Sequence, residues 1–231
     1  MPTELTWLGH AAFRVDTSGG KRVYVDPYLT GNPKTPVSER EPERCDLIVL
    51  THGHDDHVGD TLAMHERLGC PVIAVVELRA WLASKGVEFD LAHAANKGGT
   101  VTWEGIGVTF TDANHSSSTE DGTYAGEPCG IVFHLEDGFK IYFAGDTNVF
   151  GDMSLIGRIY SPDVAVLPIG DHFTMGPREA AVALELLGVG RCVPCHYGTF
   201  PLLSGTPDEL RRLAPTGVKV LSPEPGETLT L

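Results

Sequence analysis

One short segment of the chain concentrates side chains that bind metal ions. Residues 51–60 read Thr-His-Gly-His-Asp-Asp-His-Val-Gly-Asp, in which His52, His54, Asp56 and His57 follow the pattern H-x-H-x-D-H. Imidazole and carboxylate ligands together suit Zn²⁺, Mn²⁺ or Fe²⁺. Packing does not explain four such side chains within six residues, so the segment predicts a metal site.

Three further candidate ligands lie far downstream. They are His115 in Asn-His-Ser, Asp146 in Gly-Asp-Thr and His196 in Cys-His-Tyr. Each follows a short apolar run that is typical of a buried strand. A merely polar, exposed loop at 51–60 would leave these distant candidates unexplained. All seven residues together therefore predict a dinuclear site.

The hydrophobic pattern predicts the elements that must position these side chains. We expect strands at residues 3–8, 11–16, 21–26, 46–51, 71–76, 100–112, 129–136, 139–145, 163–169, 191–195 and 218–222. We expect helices at about 57–68, 77–85, 152–159, 177–187 and 207–214. Strand-rich and strand–helix stretches alternate twice, which predicts an α/β fold: a four-layer αβ/βα sandwich of two mixed sheets, face to face, with helices outside. Residues 1–231 would form a single domain.

Composition limits the classes of partner. The net charge of −14 and the lack of a Lys/Arg cluster argue against nucleic-acid binding. No apolar stretch approaches the length of a membrane span, and the first residues lack the features of a signal peptide. Five cysteines, an odd number without dense spacing, argue against a disulfide framework. We expect a cytoplasmic protein with a small-molecule substrate and no nucleic-acid or membrane partner, and homo-oligomerisation is left open.

With the ligand pattern in place, the chain resembles the metallo-β-lactamase-fold hydrolases over essentially its whole length. Within that superfamily it is similar to a branch of uncharacterised bacterial and archaeal metal-dependent hydrolases related to the ascorbate-6-phosphate lactonases. The runs that carry this second resemblance are Trp7-Leu-Gly-His-Ala-Ala-Phe13, Val25-Asp-Pro-Tyr-Leu-Thr-Gly-Asn-Pro33, Leu167-Pro-Ile-Gly-Asp-His-Phe-Thr-Met175 and His196-Tyr-Gly-Thr-Phe-Pro201.

The resemblance implies roles for the seven ligand candidates. The first metal would be bound by His52, His54 and His115, the second by Asp56, His57 and His196, and both by Asp146. Two divalent ions are expected, Zn²⁺ or Mn²⁺ in first place and Fe²⁺ or Ni²⁺ as alternatives. A hydroxide bound to the metals would cleave a small ester, lactone or phosphodiester.

One of these seven side chains and two further histidines are candidates for proton transfer or substrate contact. Asp56, beside the hydroxide, would orient it or accept its proton. His172, in a loop after an apolar run, would donate a proton to the leaving group or contact the substrate. His10 has a similar context and would act in the same way. A structural role is the alternative for both histidines.

Further candidates would line or support the site. Asp26 ends the run Val25-Asp26-Pro27 and would fix imidazole tautomers, unless it only begins a turn. Tyr197 and Thr199 follow His196 and would line the pocket or pack beneath it.

The surroundings of the site carry two more expectations. The polar, glycine-containing segment 114–128 predicts a mobile flap. Lys97 and Arg178 are the basic residues that we consider for binding a substrate anion.

Other functions on the same fold stay open. A mononuclear-iron oxygenase uses the same ligand types, so the sequence does not separate it from a hydrolase. An RNA-processing nuclease would need a basic face, and an exported β-lactam hydrolase would need a signal segment. A non-catalytic metal-binding module is the remaining alternative, because a ligand set alone does not prove catalysis.

Overall fold

The computed structural model describes residues 2–231. In chain order the strands are β1 (Glu4–Trp7), β2 (Phe13–Asp16), β3 (Arg22–Val25), β4 (Leu47–Val49), β5 (Val72–Val75), β6 (Ala94–Ala95), β7 (Thr100–Trp103), β8 (Ile106–Asp112), β9 (Cys129–His134), β10 (Lys140–Phe143), β11 (Val164–Pro168), β12 (Arg191–Cys195), β13 (Lys219–Val220) and β14 (Thr228–Thr230). The helices are α1 (Asp55–Val58), α2 (Thr61–Leu68), α3 (Val76–Ser84), α4 (Met153–Tyr160), α5 (Pro177–Leu187) and α6 (Pro207–Leu213).

The strands form two mixed sheets of seven strands each. The first sheet has the order β14-β1-β2-β3-β4-β5-β6, and the second has the order β13-β12-β11-β10-β9-β8-β7. Pairing is parallel from β3 to β6 and from β10 to β13, and antiparallel elsewhere. This arrangement confirms the predicted αβ/βα sandwich.

Alternation along the strands of the second sheet separates its two faces. In β10, Ile141 and Phe143 belong to the core between the sheets, where the ring of Phe143 lies 5.5 Å from that of Phe13. Tyr142, between them, belongs to the other core, which contains Met153 of α4. Since successive side chains of a strand point to opposite faces, each strand serves both layers.

The helix predicted at 57–68 is divided at Gly59. This residue ends α1 with φ 41° and ψ −122°, a conformation that a side chain would strain. A Cβ atom at Gly59 would also lie 2.6 Å from the carbonyl oxygen of Pro27. The close approach fixes the loop after β3 against α1, and a new helix begins at Thr61.

The remaining differences from the prediction concern strands. The single strand expected at 100–112 is an antiparallel hairpin of β7 and β8, which turns at Glu104 and Gly105, both with positive φ. β6 and β14, with two and three residues, lie at opposite edges of the first sheet and were not predicted. β13 covers only part of the strand expected at 218–222. Segments this short carry too little periodic pattern to be recognised as strands. They become strands because they pair with a neighbouring strand of the sheet.

Two further features bear on the composition argument. No helix within residues 2–231 has both the length and the apolar character that crossing a bilayer requires. All five cysteines are buried and free.

Gly59→Ala tests the close approach that divides the helix. We expect the free energy of unfolding to fall by about 2–4 kcal/mol, because positive φ and a backbone clash act together. Gly69→Ala is the matched control: Gly69 ends α2 with φ 68° but has nothing within 4 Å of its Cβ position, so the loss should be about 1 kcal/mol. Urea denaturation of chelator-treated protein measures both, and equal losses would contradict the interpretation.

Candidate metal centre

The predicted ligands lie at the carboxyl ends of strands from both sheets. His52 follows β4, His115 follows β8, Asp146 follows β10 and His196 follows β12. Two backbone hydrogen bonds join the sheets at this edge, from His196 N to His10 O (2.9 Å) and from Cys129 N to Thr51 O (3.1 Å). Loops on a rigid scaffold thereby bring residues distant in sequence to one place.

His52, His54 and His115 form one group. Each offers a ring nitrogen within 4.8 Å of the others. Nε2 of His52 lies 2.9 Å from Nδ1 of His54. This convergence of three imidazoles matches the set expected for one metal ion.

A second group consists of Asp56, His57 and His196, and it also includes His10, again with ligand atoms within 4.8 Å of one another. The carboxylate of Asp146 lies between the two groups. Its oxygens are 3.3 Å from Nε2 of His57, 3.1 Å from Nε2 of His196 and 3.6 Å from Nε2 of His115. One carboxylate therefore reaches ligands of both groups.

The donor set fits divalent metal ions. Nε2 of His57, Oδ1 of Asp146 and both ring nitrogens of His196 are buried and have no hydrogen-bond partner among residues 2–231. Leaving such atoms unsatisfied costs about 1–3 kcal/mol each. A bound metal ion would satisfy unpaired ligand atoms such as Nε2 of His57 and Oδ1 of Asp146, which lie 3.3 Å apart.

Asp26 links the two groups of histidines, because its buried carboxylate contacts both His57 and Thr51, the residue before His52. Its carboxylate accepts hydrogen bonds from Thr51 N (2.8 Å), Thr51 Oγ1 (2.6 Å) and His57 Nδ1 (2.7 Å). Because the Thr51 hydroxyl donates to Asp26, its oxygen accepts from Nδ1 of His52, 3.0 Å away. Both imidazoles are thus held with Nε2 directed to the site, the arrangement that orients metal-bound histidines.

The buried carboxylates of Asp26 and Asp146 favour a cation at the site. Burial alone would lower the pKa of His57, but Asp146 and Asp26 raise it well above 6.5. Burial would raise the pKa of Asp146, yet His196 and His57 hold it well below 3.8. Burial and then the charge of His57 keep the pKa of His52 well below its ordinary value. Ionised carboxylates that attract a proton to His57 would equally attract a metal cation.

Backbone strain is concentrated at the site. His10, Asp26 and His196 have positive φ values of 54°, 46° and 54°. Residues other than glycine rarely adopt this region, and it costs about 1–3 kcal/mol each unless the surroundings enforce it. These three residues lie on loops of both sheets, beside the candidate ligands, and such strain commonly clusters at functional sites.

His10 is fully buried, which the sequence did not indicate. Its Nε2 lies 3.0 Å from Oδ2 of Asp56, and its Nδ1 lies 3.0 Å from Oγ1 of Thr199. Burial lowers the pKa of His10 to about 4, although the hydrogen bond to Asp56 opposes this. A neutral imidazole that donates to the Asp56 carboxylate must accept at Nδ1, so the Thr199 hydroxyl donates to it.

Two candidates lie outside the cluster of ligands. The imidazole of His172 is exposed, and within residues 2–231 no hydrogen bond or ion pair joins it to that cluster. The ring of Tyr197 stacks on Trp7 at 5.0 Å and lines a neighbouring cavity of about 320 Å³ that contains none of the ligand candidates.

Sequence reasoning missed Thr51 altogether. The residue stands directly before His52. Its hydroxyl has a carboxylate to bind only because Asp26, which directly follows β3, lies next to it in the structure. A threonine at a strand end is too common to be a signal by itself.

Comparison with known proteins agrees with this geometry. A family model described as the beta-lactamase superfamily domain matches residues 21–197. The chain is 50% identical to a UPF0173 metal-dependent hydrolase of Rubrobacter xylanophilus, covering 92% of this chain and 88% of that one. It is 45% identical to a UPF0173 metal-dependent hydrolase of Herpetosiphon aurantiacus, over 99% and 98% of the two chains.

Solved structures give the same result. Igni18, described as a metallo hydrolase from Ignicoccus hospitalis, is 36% identical with a TM-score of 0.87, over 100% of this chain and 99% of that chain. An isothiocyanate hydrolase from Delia radicum gut bacteria shares the fold, with 23% identity, a TM-score of 0.74 and coverage of 99% and 98%.

Fold and site together define a metal-dependent hydrolase of the metallo-β-lactamase fold. The chain belongs to the beta-lactamase superfamily, among the relatives named UPF0173 metal-dependent hydrolases. The predicted superfamily and branch are confirmed, and the relation to ascorbate-6-phosphate lactonases stays a prediction.

Asp26→Asn tests whether Asp26 holds the imidazoles. An amide cannot accept all three hydrogen bonds, so we expect affinity for Zn²⁺ or Mn²⁺ to fall about 10–100-fold. Asp60→Asn is the matched control, since Asp60 accepts only from the backbone N–H groups of Leu29 and Thr30. Competition with a chromogenic chelator gives both affinities. A loss of the same size in both variants would refute a specific role for Asp26.

Proposed function

We propose that the protein uses two divalent metal ions to hydrolyse a small ester, lactone or phosphodiester. The observation that carries the proposal is the position of Asp146, with one carboxylate within 3.6 Å of histidines from both groups. If only one metal ion were bound, one of these two groups of candidate ligands would bind no metal.

The proposed ligands follow the two groups. One ion would be held by His52, His54 and His115, the other by Asp56, His57 and His196, with Asp146 shared. When bound, such ions lower the pKa of a coordinated water towards about 7 and polarise the oxygen of the bond under attack. We propose Zn²⁺ or Mn²⁺, with Fe²⁺ or Ni²⁺ as alternatives, because the donor set suits each of them.

In the proposal, Asp56 orients the attacking water and accepts its proton. His10 hydrogen-bonds to Oδ2 of Asp56, so Oδ1 would be the oxygen that is left to the metal and its water. Thr199 holds the tautomer of His10 in which Nε2 donates. The chain from Thr199 through His10 to Asp56 therefore fixes the carboxylate in one orientation.

His172 is proposed to donate a proton to the leaving group. It is exposed, and its backbone has positive φ (58°), as does that of Asp171 (63°). The loop is attached beside the site by the hydrogen bond from Met175 N to Thr147 O (3.0 Å), and Thr147 directly follows Asp146. An exposed imidazole here can reach a substrate without contacting the metal ligands.

Metal analysis and Asp146→Ala test the dinuclear proposal. We expect about two metals per chain and chelator-sensitive turnover of an aryl ester, a simple lactone or bis-p-nitrophenyl phosphate. Asp146→Ala should lose at least one metal and more than about 100-fold in turnover, whereas the exposed Asp152→Ala should change neither. Normal metal content and activity in Asp146→Ala would refute the proposal. One iron per chain without hydrolysis would favour an oxygenase.

Thr199→Val and His172→Ala test the proton-transfer roles. Both variants should keep their metal ions. Turnover should fall about tenfold when the Thr199 hydroxyl is lost and about 100-fold when His172 is lost. Thr199→Ser should restore most of the rate, because it returns the hydroxyl. Steady-state kinetics with metal analysis measures these effects, and unchanged rates would assign both residues to structure.

A further inference from the structure

Exposed aromatic side chains are concentrated around the candidate metal centre. Within residues 2–231 the exposed Phe, Tyr and Trp residues are Phe89, Tyr124, Phe173 and Phe200. Three of these four lie on the loops that follow β8, β11 and β12, at the edge where the ligands converge. Leu202, 56% exposed, stands on the same loop as Phe200.

Phe200 lies nearest to the ligands. Its ring centroid is 5.5 Å from that of His10, and Nε2 of His10 lies 3.0 Å from the carboxylate of Asp56. Even so, 37% of Phe200 is exposed. Only the side chain of His10 separates this phenyl ring from the candidate ligand Asp56. A partly exposed ring in this position can contact a molecule that binds at the site.

The loop after β11 carries Phe173. Gly170 accepts a hydrogen bond from Gly205 N (3.3 Å), which fastens this loop to the one that carries Phe200 and Leu202. Two consecutive residues with positive φ, Asp171 and His172, then leave Phe173 53% exposed. Strain and an exposed phenyl ring are both unfavourable in the free protein, and a ligand that covers the ring would offset part of the cost.

The same loops offer little to an anion. Residues 114–128, 170–176 and 196–206 contain no lysine or arginine, whereas the first of these segments has Glu120, Asp121 and Glu127 among its residues. Of the two basic candidates, Lys97 is bound to Asp112 at 2.5 Å, and Arg178 is exposed on the first turn of α5, outside the three segments. These three segments therefore offer no cationic side chain to a negatively charged group of the substrate.

We propose that the substrate is an uncharged carboxylic ester or lactone with an apolar chain or ring. The apolar part lies on the apolar rim, defined as Phe173, Phe200 and Leu202. This inference rests on the proposed hydrolase function and narrows its substrate class. Water adds across the acyl C–O bond, which breaks to give a carboxylic acid and an alcohol.

A chain-length series with the metal-loaded enzyme tests the inference. The probes are the p-nitrophenyl esters of acetate, butyrate and octanoate, the half ester of the dicarboxylic acid that matches octanoate in length, and bis-p-nitrophenyl phosphate. We expect kcat/KM to rise about threefold for each methylene that the rim covers. The terminal carboxylate should cost about tenfold or more relative to octanoate.

Variants locate the effect on the rim. Phe173→Ala and Leu202→Ala should each lower the ratio of kcat/KM for octanoate to that for acetate by at least about fivefold. Phe89→Ala is the matched control, because Phe89 is 44% exposed but precedes β6. It therefore lies towards the amino ends of the parallel strands, whereas the candidate ligands lie at the carboxyl ends. This control should leave the ratio unchanged, and thermal melts confirm that each variant is folded.

The outcomes are distinguishable. Chelator-sensitive turnover without chain-length preference, or with preference for the carboxylated ester or the phosphodiester, overturns the apolar substrate class and leaves the hydrolase intact. The inference is also overturned if Phe89→Ala changes the ratio as much as the rim variants do. If no ester, lactone or phosphodiester is hydrolysed in a metal-dependent way, the proposed function itself fails.

Discussion

The geometry of the candidate metal centre depends on one buried carboxylate. Asp26 receives three hydrogen bonds and thereby holds His57 directly and His52 through Thr51. Its place is set by the sheet: Val25 of β3 pairs with Val49 of β4, and Asp26 N donates to the carbonyl of Val49 (3.2 Å). Parallel pairing in the core thus decides where two imidazoles point. A shift in this register would move the carboxylate away from both.

Much of the fold could be predicted from local sequence pattern. Long apolar or alternating runs identify the major strands, and the repeated alternation of strand-rich and strand–helix stretches identifies the layers. The parts that escaped prediction are those that distant residues define. Gly59 interrupts a helical pattern because the loop around Pro27 passes against it. The strand Thr228–Thr230 exists because β1 offers it an edge, with Leu229 opposite Leu5. Neither cause is visible in the segment itself.

The candidate site likewise has a part that the sequence predicts and a part that only the folded structure defines. The ligand types and their spacing were sufficient to propose seven residues, because few other roles bring histidine and aspartate together after strand ends. The hydrogen-bond network around them was not predictable. His10 is buried because the loops after β1 and β12 meet across the two sheets, and Thr51 matters only through Asp26. Solvent exposure of Phe173 and His172 likewise follows from a turn whose strain the sequence does not reveal.

The distribution of the ligands over both sheets has a consequence for biosynthesis. His52 and His54 leave the ribosome well before His196, which follows β12. A nascent chain can hold a metal only weakly with its first few ligands, since no complete site exists until the two sheets have joined. Metal loading would therefore follow the joining of the two sheets, and the folded pocket, rather than the emerging histidine motif, would select the ion that stays.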